Sequence, residues 1–351
     1  MPLFLDLHKA SDFEKKPTVD DIKNAHIADL AIQSNYGVRF IQYWINEEDG
    51  LVFCMMEAPD KEACAAVHAA AHGNMPCNVI ELKGGDYQTF MGDQNANEFD
   101  IVENPNGSLD TGCRILLAVE FLTASEVIPL NRKIKEVVLS FQGREVNHAG
   151  ERIIAVFNSG DDAINCASEI LNGFTADATT EVQIGIHAGD PLTEKDNFFE
   201  AVLQFTNRLC DIAANRQAVI SSKVKNMATH SFNENCMRSI TQPDEKLLNR
   251  LLDTVEPTID STGFNIEDIG KNIGLSRAQA YRKITSLTGR SPNNFVKELR
   301  LKKAFRLIKR EYGNISEVAY ESGFSNPSYF STVFQKRFGV LPSHYLNIRS
   351  N

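Results

Sequence analysis

The spacing of apolar residues changes character along the chain and divides it into blocks. In residues 1–92, short alternating runs are interleaved with helical periodicity. LFLDLH reads as a strand and TVDDIKNAHIADLAIQSNYG as a helix closing at Gly37. VRFIQYWIN and LVFCMMEA read as a hairpin across Glu47–Gly50. DKEACAAVHAAAHG is a helix closing at Gly73, and NVIELKG a last strand. The order is βαββαβ.

Residues 113–240 alternate again. RILLAVEFL is a strand, SEVIPLNRKIKEVVLSFQG a helix, REVNHAGERIIAVF a hairpin, DDAINCASEILNGF a helix and EVQIGIHAGDP a strand. FFEAVLQFTNRLCDIAANR is a helix and AVISSKV a strand, which together predict an α+β sandwich. Between these blocks, residues 92–112 are polar and rich in Asn, Gly and Asp, so 93–112 is expected to be a linker. A second boundary falls near Thr241-Gln242-Pro243. The resulting division is 1–92, 93–112, 113–240 and 243–351 of a multidomain α+β chain.

From Pro243 onward every periodic segment is helical. FNIEDIGKNIGLSRAQAYRKITSLTG (264–289) and GNISEVAYESGFSNPSYFSTVFQKRFG (313–339) share one plan: an N-cap (Asn265, Asn314), acids in the first turn, a glycine turn (Gly274, Gly323), and a second helix closed by glycine. Ser276 can restart the helix in the first unit. Ala280, Ile284 and Leu287 form its buried stripe, leaving Arg277, Ala278, Tyr281, Arg282 and Thr285 outward. In the second unit Phe330, Val333, Phe334 and Phe338 are inward, leaving Ser328, Ser331, Thr332 and Gln335 outward. Small, polar and guanidinium side chains on a capped helix suit base edges and phosphates in the major groove of double-stranded DNA. Ser291-Pro292 opens a connecting helix to about Arg310, roughly 28 Å long at 1.5 Å per residue. That spacer suits recognition helices in successive grooves.

Charge follows the same division. Residues 243–351 hold 17 Lys+Arg against 11 Asp+Glu, whereas the chain as a whole is at −10. A basic segment on an acidic protein is a phosphate footprint. No apolar run reaches the ~18 residues of a membrane helix, and the acidic start is unlike a leader peptide. A cytoplasmic protein without membrane association is expected. Its seven cysteines are scattered without a C-x-x-C pair, which favours thiols over disulfides.

The C-terminal block resembles the DNA-binding domain of the AraC/XylS regulators. The resemblance rests on the run Ile315–Ala319, Gly323-Phe324, Tyr329-Phe330, Phe334, Phe338-Gly339, Pro342 and Tyr345. It implies an all-α double helix-turn-helix domain. Ala278, Tyr281 and Arg282 would face DNA in the first unit, and Asn326, Ser328, Ser331 and Thr332 in the second.

In the first block His68 and His72 lie one helical turn apart, a spacing that lets two imidazoles share a metal. His26 lies on the other helix, on the same side of the sheet. Cys54, Asp29, Glu57 or water could complete a site for nickel, zinc or copper. The string FCMMEAPDKEACAAVHAAAHG, with His26, Asp29 and Trp44 upstream, resembles a family of small nickel-binding ferredoxin-like proteins. That resemblance implies a divalent transition metal held among His26, His68, His72 and Cys54.

GERIIAVF, VQIGIHAGDP and FFEAVLQFTNRLCDIAANRQAVIS resemble the class III adenylate/guanylate cyclase domain. That family needs two aspartates holding two metal ions. Here Val119, with Glu120 beside it, and Glu151 stand at those positions. Asn147 replaces a base-recognising lysine, Gln204 a ribose-orienting asparagine, and Arg208 is kept. The resemblance implies a homodimer paired through a cyclase-like domain that is no longer an enzyme, with Glu120, Glu151, Gln204 and Arg208 as a vestigial nucleotide site. The whole reads as a DNA-binding regulator sensing a metal or a small-molecule effector, with RNA polymerase as a partner if it activates. The alternative is a metal-regulated nucleotide cyclase fused to a DNA-binding domain.

Overall fold

The computed structural model describes residues 1–10, 16–92, 95–122, 128–146, 152–173, 180–261 and 266–348. The N-terminal region runs β1 (Leu3–Lys9), α1 (Val19–Ile32), β2 (Arg39–Asn46), β3 (Leu51–Glu57), α2 (Lys61–Ala71), β4 (Asn78–Leu82). Its antiparallel sheet has the order β2-β3-β1-β4, the βαββαβ arrangement expected. Thr18 and Asp60 cap the two helices. Period-two alternation sorts β1: Leu5 and Leu7 join the apolar cluster on the face away from the helices, while Phe4 joins the cluster beneath them.

Residues 95–112, expected as part of a linker, are packed against the first sheet. After α3 (Asp86–Met91), β5 (Asn95–Ala96) and β6 (Val102–Glu103) form a small ribbon. Ile101 and Val102 are buried, and the Tyr43 N–H donates to the Asp100 carbonyl. The segment is a strap packed on the first sheet.

A second sheet follows: β7 (Arg114–Leu122), α4 (Ile128–Ser140), β8 (Arg144–Val146), β9 (Ile153–Phe157), α5 (Gly160–Gly173), β10 (Glu181–Gly189), α6 (Glu200–Ile212), β11 (Gln217–Ile220), α7 (Ser222–Met227) and β12 (Met237–Ser239). Its order is β12-β11-β10-β7-β9-β8, with β11 parallel to both neighbours. At Gly185 an added Cβ would lie 2.3 Å from the Thr206 carbonyl oxygen, so only glycine lets α6 approach β10 this closely.

All nine residues of β7 are buried. Ile115, Leu117, Val119 and Phe121 pack in the cluster with α4 and α5. On the opposite face, Leu116 and Ala118 share a cluster with Leu5, Leu7, Trp44 and Phe53 of the first sheet, so the two sheets meet face to face.

The C-terminal region is all helical: α8 (Gln242–Val255), α9 (Ile266–Asn272), α10 (Arg277–Thr288), α11 (Pro292–Lys309), α12 (Ile315–Glu321), α13 (Pro327–Phe338), α14 (Pro342–Ile348). Ser276 and Asn314 close capping boxes, and Gly274 and Gly323 turn at φ +71° and +83°. Asn265 lies outside the described residues. The 18 residues of α11 span about 27 Å.

Because Leu116 belongs to a core shared by both sheets, Leu116→Ala is expected to cost about 2–5 kcal/mol. The two sheets should be lost in one cooperative transition in urea, followed by fluorescence of Trp44 and by circular dichroism. Two separated transitions in the wild-type chain would contradict the shared core.

Candidate metal centre and nucleic-acid interface

The face of the first sheet beneath α1 and α2 carries a polar cluster in an otherwise apolar layer. Asp6 and His8 project from β1, Asp29 and His26 from α1, and His68 from α2. His72 sits at the C-cap of α2. The His68 ring is held from both sides: Nε2 is 2.9 Å from an Asp6 carboxylate oxygen and Nδ1 is 3.1 Å from Asp29. His72 Nε2 is 3.2 Å from Asp29 and 3.4 Å from His68 Nδ1. His8 Nε2 approaches Asp6 at 3.4 Å, and His26 Nε2 meets Asp100 of the strap at 3.2 Å.

His8, His26, Asp29, His68 and His72 line a cavity of about 40 Å³ together with Tyr43, Val52 and Cys54. Buried His26 Nδ1 has no hydrogen-bond partner, while His8 Nε2 and Asp29 Oδ1 have only the ion-pair contacts to Asp6 and His72. Two donor sets, Asp6/His8/His68 and Asp29/His68/His72, have one ligand atom each within 4.8 Å of the others. Imidazole with carboxylate suits nickel, zinc or copper, and orphaned buried donors around a small cavity fit a divalent ion.

Electrostatics sharpen the picture. Burial alone would lower the His68 pKa, but Asp6 and Asp29 outweigh it and push it up to about 10. Burial would raise the Asp6 and Asp29 carboxyls, yet the neighbouring histidines hold both below the usual range. Burial drives His26 down against the pull of Asp100. Burial, then Asp6 and Asp29, push the Cys54 thiol well above its ordinary value.

Of the four metal candidates read from sequence, His68 and His72 are ligands of one donor set. His26 and Cys54 line the same cavity but stand outside both sets. Glu57 points elsewhere, pairing with Arg39. Asp6 and His8 escaped sequence reasoning, although the signal was there: in LFLDLH the two polar residues share a face opposite Leu5 and Leu7.

In the C-terminal helices Ala280, Ile284, Leu287, Phe330 and Phe334 are buried as expected. Ala278, Tyr281 and Arg282 are exposed on α10, and Arg277 is exposed while pairing with Glu267 at 2.9 Å; Thr285 is half-buried. On α13 Ser328, Thr332 and Gln335 are exposed. Asn326 is also exposed and caps the helix by accepting from the Ser328 and Tyr329 N–H groups. Ser331 is half-buried, its hydroxyl donating to the Pro327 carbonyl.

Among the described residues expected as a vestigial nucleotide site, Glu120 and Arg208 are engaged in ion pairs and Gln204 faces solvent. Glu120 is buried and bonded to Arg152 at 2.8 Å and Arg306 at 2.7 Å. Arg208 is bonded to Asn249, Asp253 and Glu256 of α8 and its end, at 2.6–2.8 Å through its terminal nitrogens. Gln204 is exposed, and Glu151 and Asn147 lie outside the described residues.

Comparison with known proteins agrees with the two outer regions. A family model described as a helix-turn-helix domain matches residues 269–348, and one described as nickel responsive protein SCO4226-like matches residues 4–82. Histidine kinase P4 of Formosa agariphila is 35% identical over 146 residues, 42% of this chain and 10% of that protein. The HTH-type transcriptional activator RhaS of Mannheimia succiniciproducens is 25% identical over 193 residues, 54% of this chain and 67% of that protein. A transcriptional regulator with an AraC-type DNA-binding domain from Chromobacterium violaceum is 26% identical, covering 31% of this chain and 95% of that one, at a TM-score of 0.28. The chain spans only a tenth of the length of the first of these relatives. The comparisons thus match the C-terminal helices to a helix-turn-helix domain and the N-terminal sheet and helices to a nickel-responsive protein.

The Asp6–His68–Asp29 network makes metal-free stability depend on pH. Raised from an ordinary value of about 6.5, the His68 pKa contributes stability that is full below that value and lost as pH rises through about 10. The lowered Asp6 and Asp29 contribute above about 3.9, losing it as pH falls. Urea midpoints of metal-free protein should therefore fall more steeply between pH 7 and 10 for wild type than for His68→Gln. Parallel profiles would refute the network.

Proposed function

We propose that this protein is a transcription regulator that binds double-stranded DNA and is governed by nickel or another divalent transition metal. The observation that carries the reading is the pair of capped helix-turn-helix units. Their backs are buried in the chain, while Arg277, Ala278, Tyr281 and Arg282 of one and Ser328, Thr332 and Gln335 of the other face solvent. Asn326, Ser331 and Thr285 stand at the margins of those faces.

Metal would be held by His68 and Asp29 with His72, or by Asp6 and His8 with His68, with His26 and Cys54 at the cavity wall. A bound divalent cation would supply the positive charge that the carboxylates otherwise draw from protonated His68. His68 would have to give up that proton on binding.

The middle region is read as cyclase-like in descent. Supporting this is the order β10-β7-β9-β8 with crossing helices between the strands. The reading is not catalytic: Val119 is buried in the apolar core, and Glu120 and Arg208 are tied up in ion pairs. The homodimer that a cyclase resemblance implies would have to use faces away from those two residues. An activator among such regulators would also contact RNA polymerase, and a small effector would bind outside the Glu120 surroundings.

Two measurements test the reading. Selection of duplexes from a random pool by the full chain should yield a sequence preference whose affinity falls with salt. Arg282→Ala should weaken the selected site by about 1–3 kcal/mol and relax one position; retention of full specificity by that variant would contradict the assignment. The full chain is needed because α8 to α11 share an apolar core with α6. For the metal, nickel titration of wild type should show proton release in buffers of differing ionisation enthalpy, and His68→Ala/His72→Ala should lose at least about tenfold in affinity. Equal uptake by both proteins would sink the metal centre.

A further inference from the structure

The two helix-turn-helix units are attached to the middle region by different physics. The first unit shares one continuous apolar cluster with it. Phe205, Leu209, Ile212 and Val219 pack with Leu248, Leu251 and Leu252 of α8 and with Ile284, Leu287 and Phe295 of the unit and the start of α11. The cluster of the second unit, built on Leu301, Phe305, Phe330 and Phe334, receives a single buried residue from the middle region, Leu122.

What meets the second unit instead is charge. Arg306 of α11 bonds Glu120 at 2.7 Å and Asp211 at 3.0 Å. Lys302, fully buried one turn earlier, donates to the Gln183 side chain at 2.5 Å and to the Asp211 carbonyl at 3.1 Å. Arg337 of α13 forms a two-bond fork on Glu181 at 2.7 and 2.8 Å and also holds Glu298 of α11. Arg152 sits between Glu120 and Asp211 from the middle region's own side. Removing α11 would leave Glu120 and Asp211 with Arg152 alone, a net negative surface, and would strip Lys302 and Arg306 of their acidic partners. Buried charges tolerate such a loss poorly, whereas geometry this complete fixes one pose.

We propose that Glu120, Asp211 and Glu181 form an acidic seat that holds the second helix-turn-helix unit at a set position relative to the first, and so determines the spacing of DNA half-sites the chain accepts. Glu120 is thereby a positioning residue for DNA recognition. The spacing consequence rests on the DNA-binding reading above; the seat itself does not. Glu120 also lies on the face of β7 that carries Ala118 and Leu116 against the first sheet, which puts one of the three seat carboxylates on the strand both outer regions share.

The test uses the full chain and amide hydrogen exchange, with Glu120→Gln, Asp211→Asn and the more peripheral Glu181→Gln. Exchange in residues 301–338 should accelerate by on the order of tenfold or more in each variant, while residues 242–288 keep wild-type protection. Unchanged protection of 301–338 in all three overturns the seat. Should Glu120→Gln or Asp211→Asn unfold the middle region, Glu181→Gln still decides, since that pair is partly exposed and wild-type exchange there overturns the proposal. In parallel, duplexes carrying the selected half-sites at varied separations are bound to wild type and variants. A sharp optimum in wild type that broadens in the variants supports the spacing role. An unchanged optimum in a variant whose second unit has loosened overturns that role. Absence of any sequence-preferring binding by wild type counts against the DNA-binding reading and leaves the exchange result to judge the seat.

Discussion

The structure depends on the two-sided burial of one strand. All nine residues of β7 are buried, and its two faces do different things. One face closes the core under α4 and α5. The other carries, in order, Arg114 bonded to Asp110 of the strap, then Leu116 and Ala118 against the first sheet, then Glu120 and Leu122 against the C-terminal helices. A strand repeat of two residues rise about 6.7 Å, so three neighbours are held in fixed relation by a single extended segment. Because protein interiors are close-packed and repack in discrete steps, a strand gripped on both faces transmits displacement where a flexible linker would absorb it.

The metal centre illustrates how a polar site survives inside an apolar layer. Six ionisable groups are brought under two helices, and each buried carboxylate has a histidine against it. The arrangement leaves His26 Nδ1 without a hydrogen-bond partner beside a small cavity, and His8 Nε2 and Asp29 Oδ1 with ion-pair contacts alone. Such a network is stable when a cation, whether a proton on His68 or a metal ion, neutralises the carboxylates. Exchange of one for the other changes the charges facing Asp100, and Asp100 belongs to the strap that leads into β7.

Much of this was legible in the sequence. The paired units declared themselves through caps and glycine turns, because Ser276, Asn314, Gly274 and Gly323 act locally. The βαββαβ order followed from periodicity. What stayed hidden was set by tertiary contacts. RILLAVEFL shows no useful alternation because both faces are covered, so the separate tasks of Leu116 and Glu120 could not be seen. Residues 92–112 looked like a spacer because their two buried apolar side chains, Ile101 and Val102, are lost in a polar background. Helix α8 went unread although Thr241 caps it and QPDEKLLNRLLDTV is amphipathic, since its apolar face answers α6. Arg208, expected in a vestigial nucleotide site, is instead held by Asp253 and Glu256, partners remote in sequence that no local pattern could show. The alternation in LFLDLH puts Asp6 and His8 on one face, but that Asp6 meets His68 is set by α2 lying across β1.

The central claim is that metal occupancy beneath α1 and α2 alters DNA recognition by the C-terminal helices. Its most direct test is the affinity of the full chain for its selected duplex at fixed salt, by fluorescence anisotropy, with and without saturating nickel. The account predicts a nickel-dependent shift in wild type that disappears in His68→Ala/His72→Ala. Identical affinities for wild type in both conditions, with nickel shown to be bound, would contradict it.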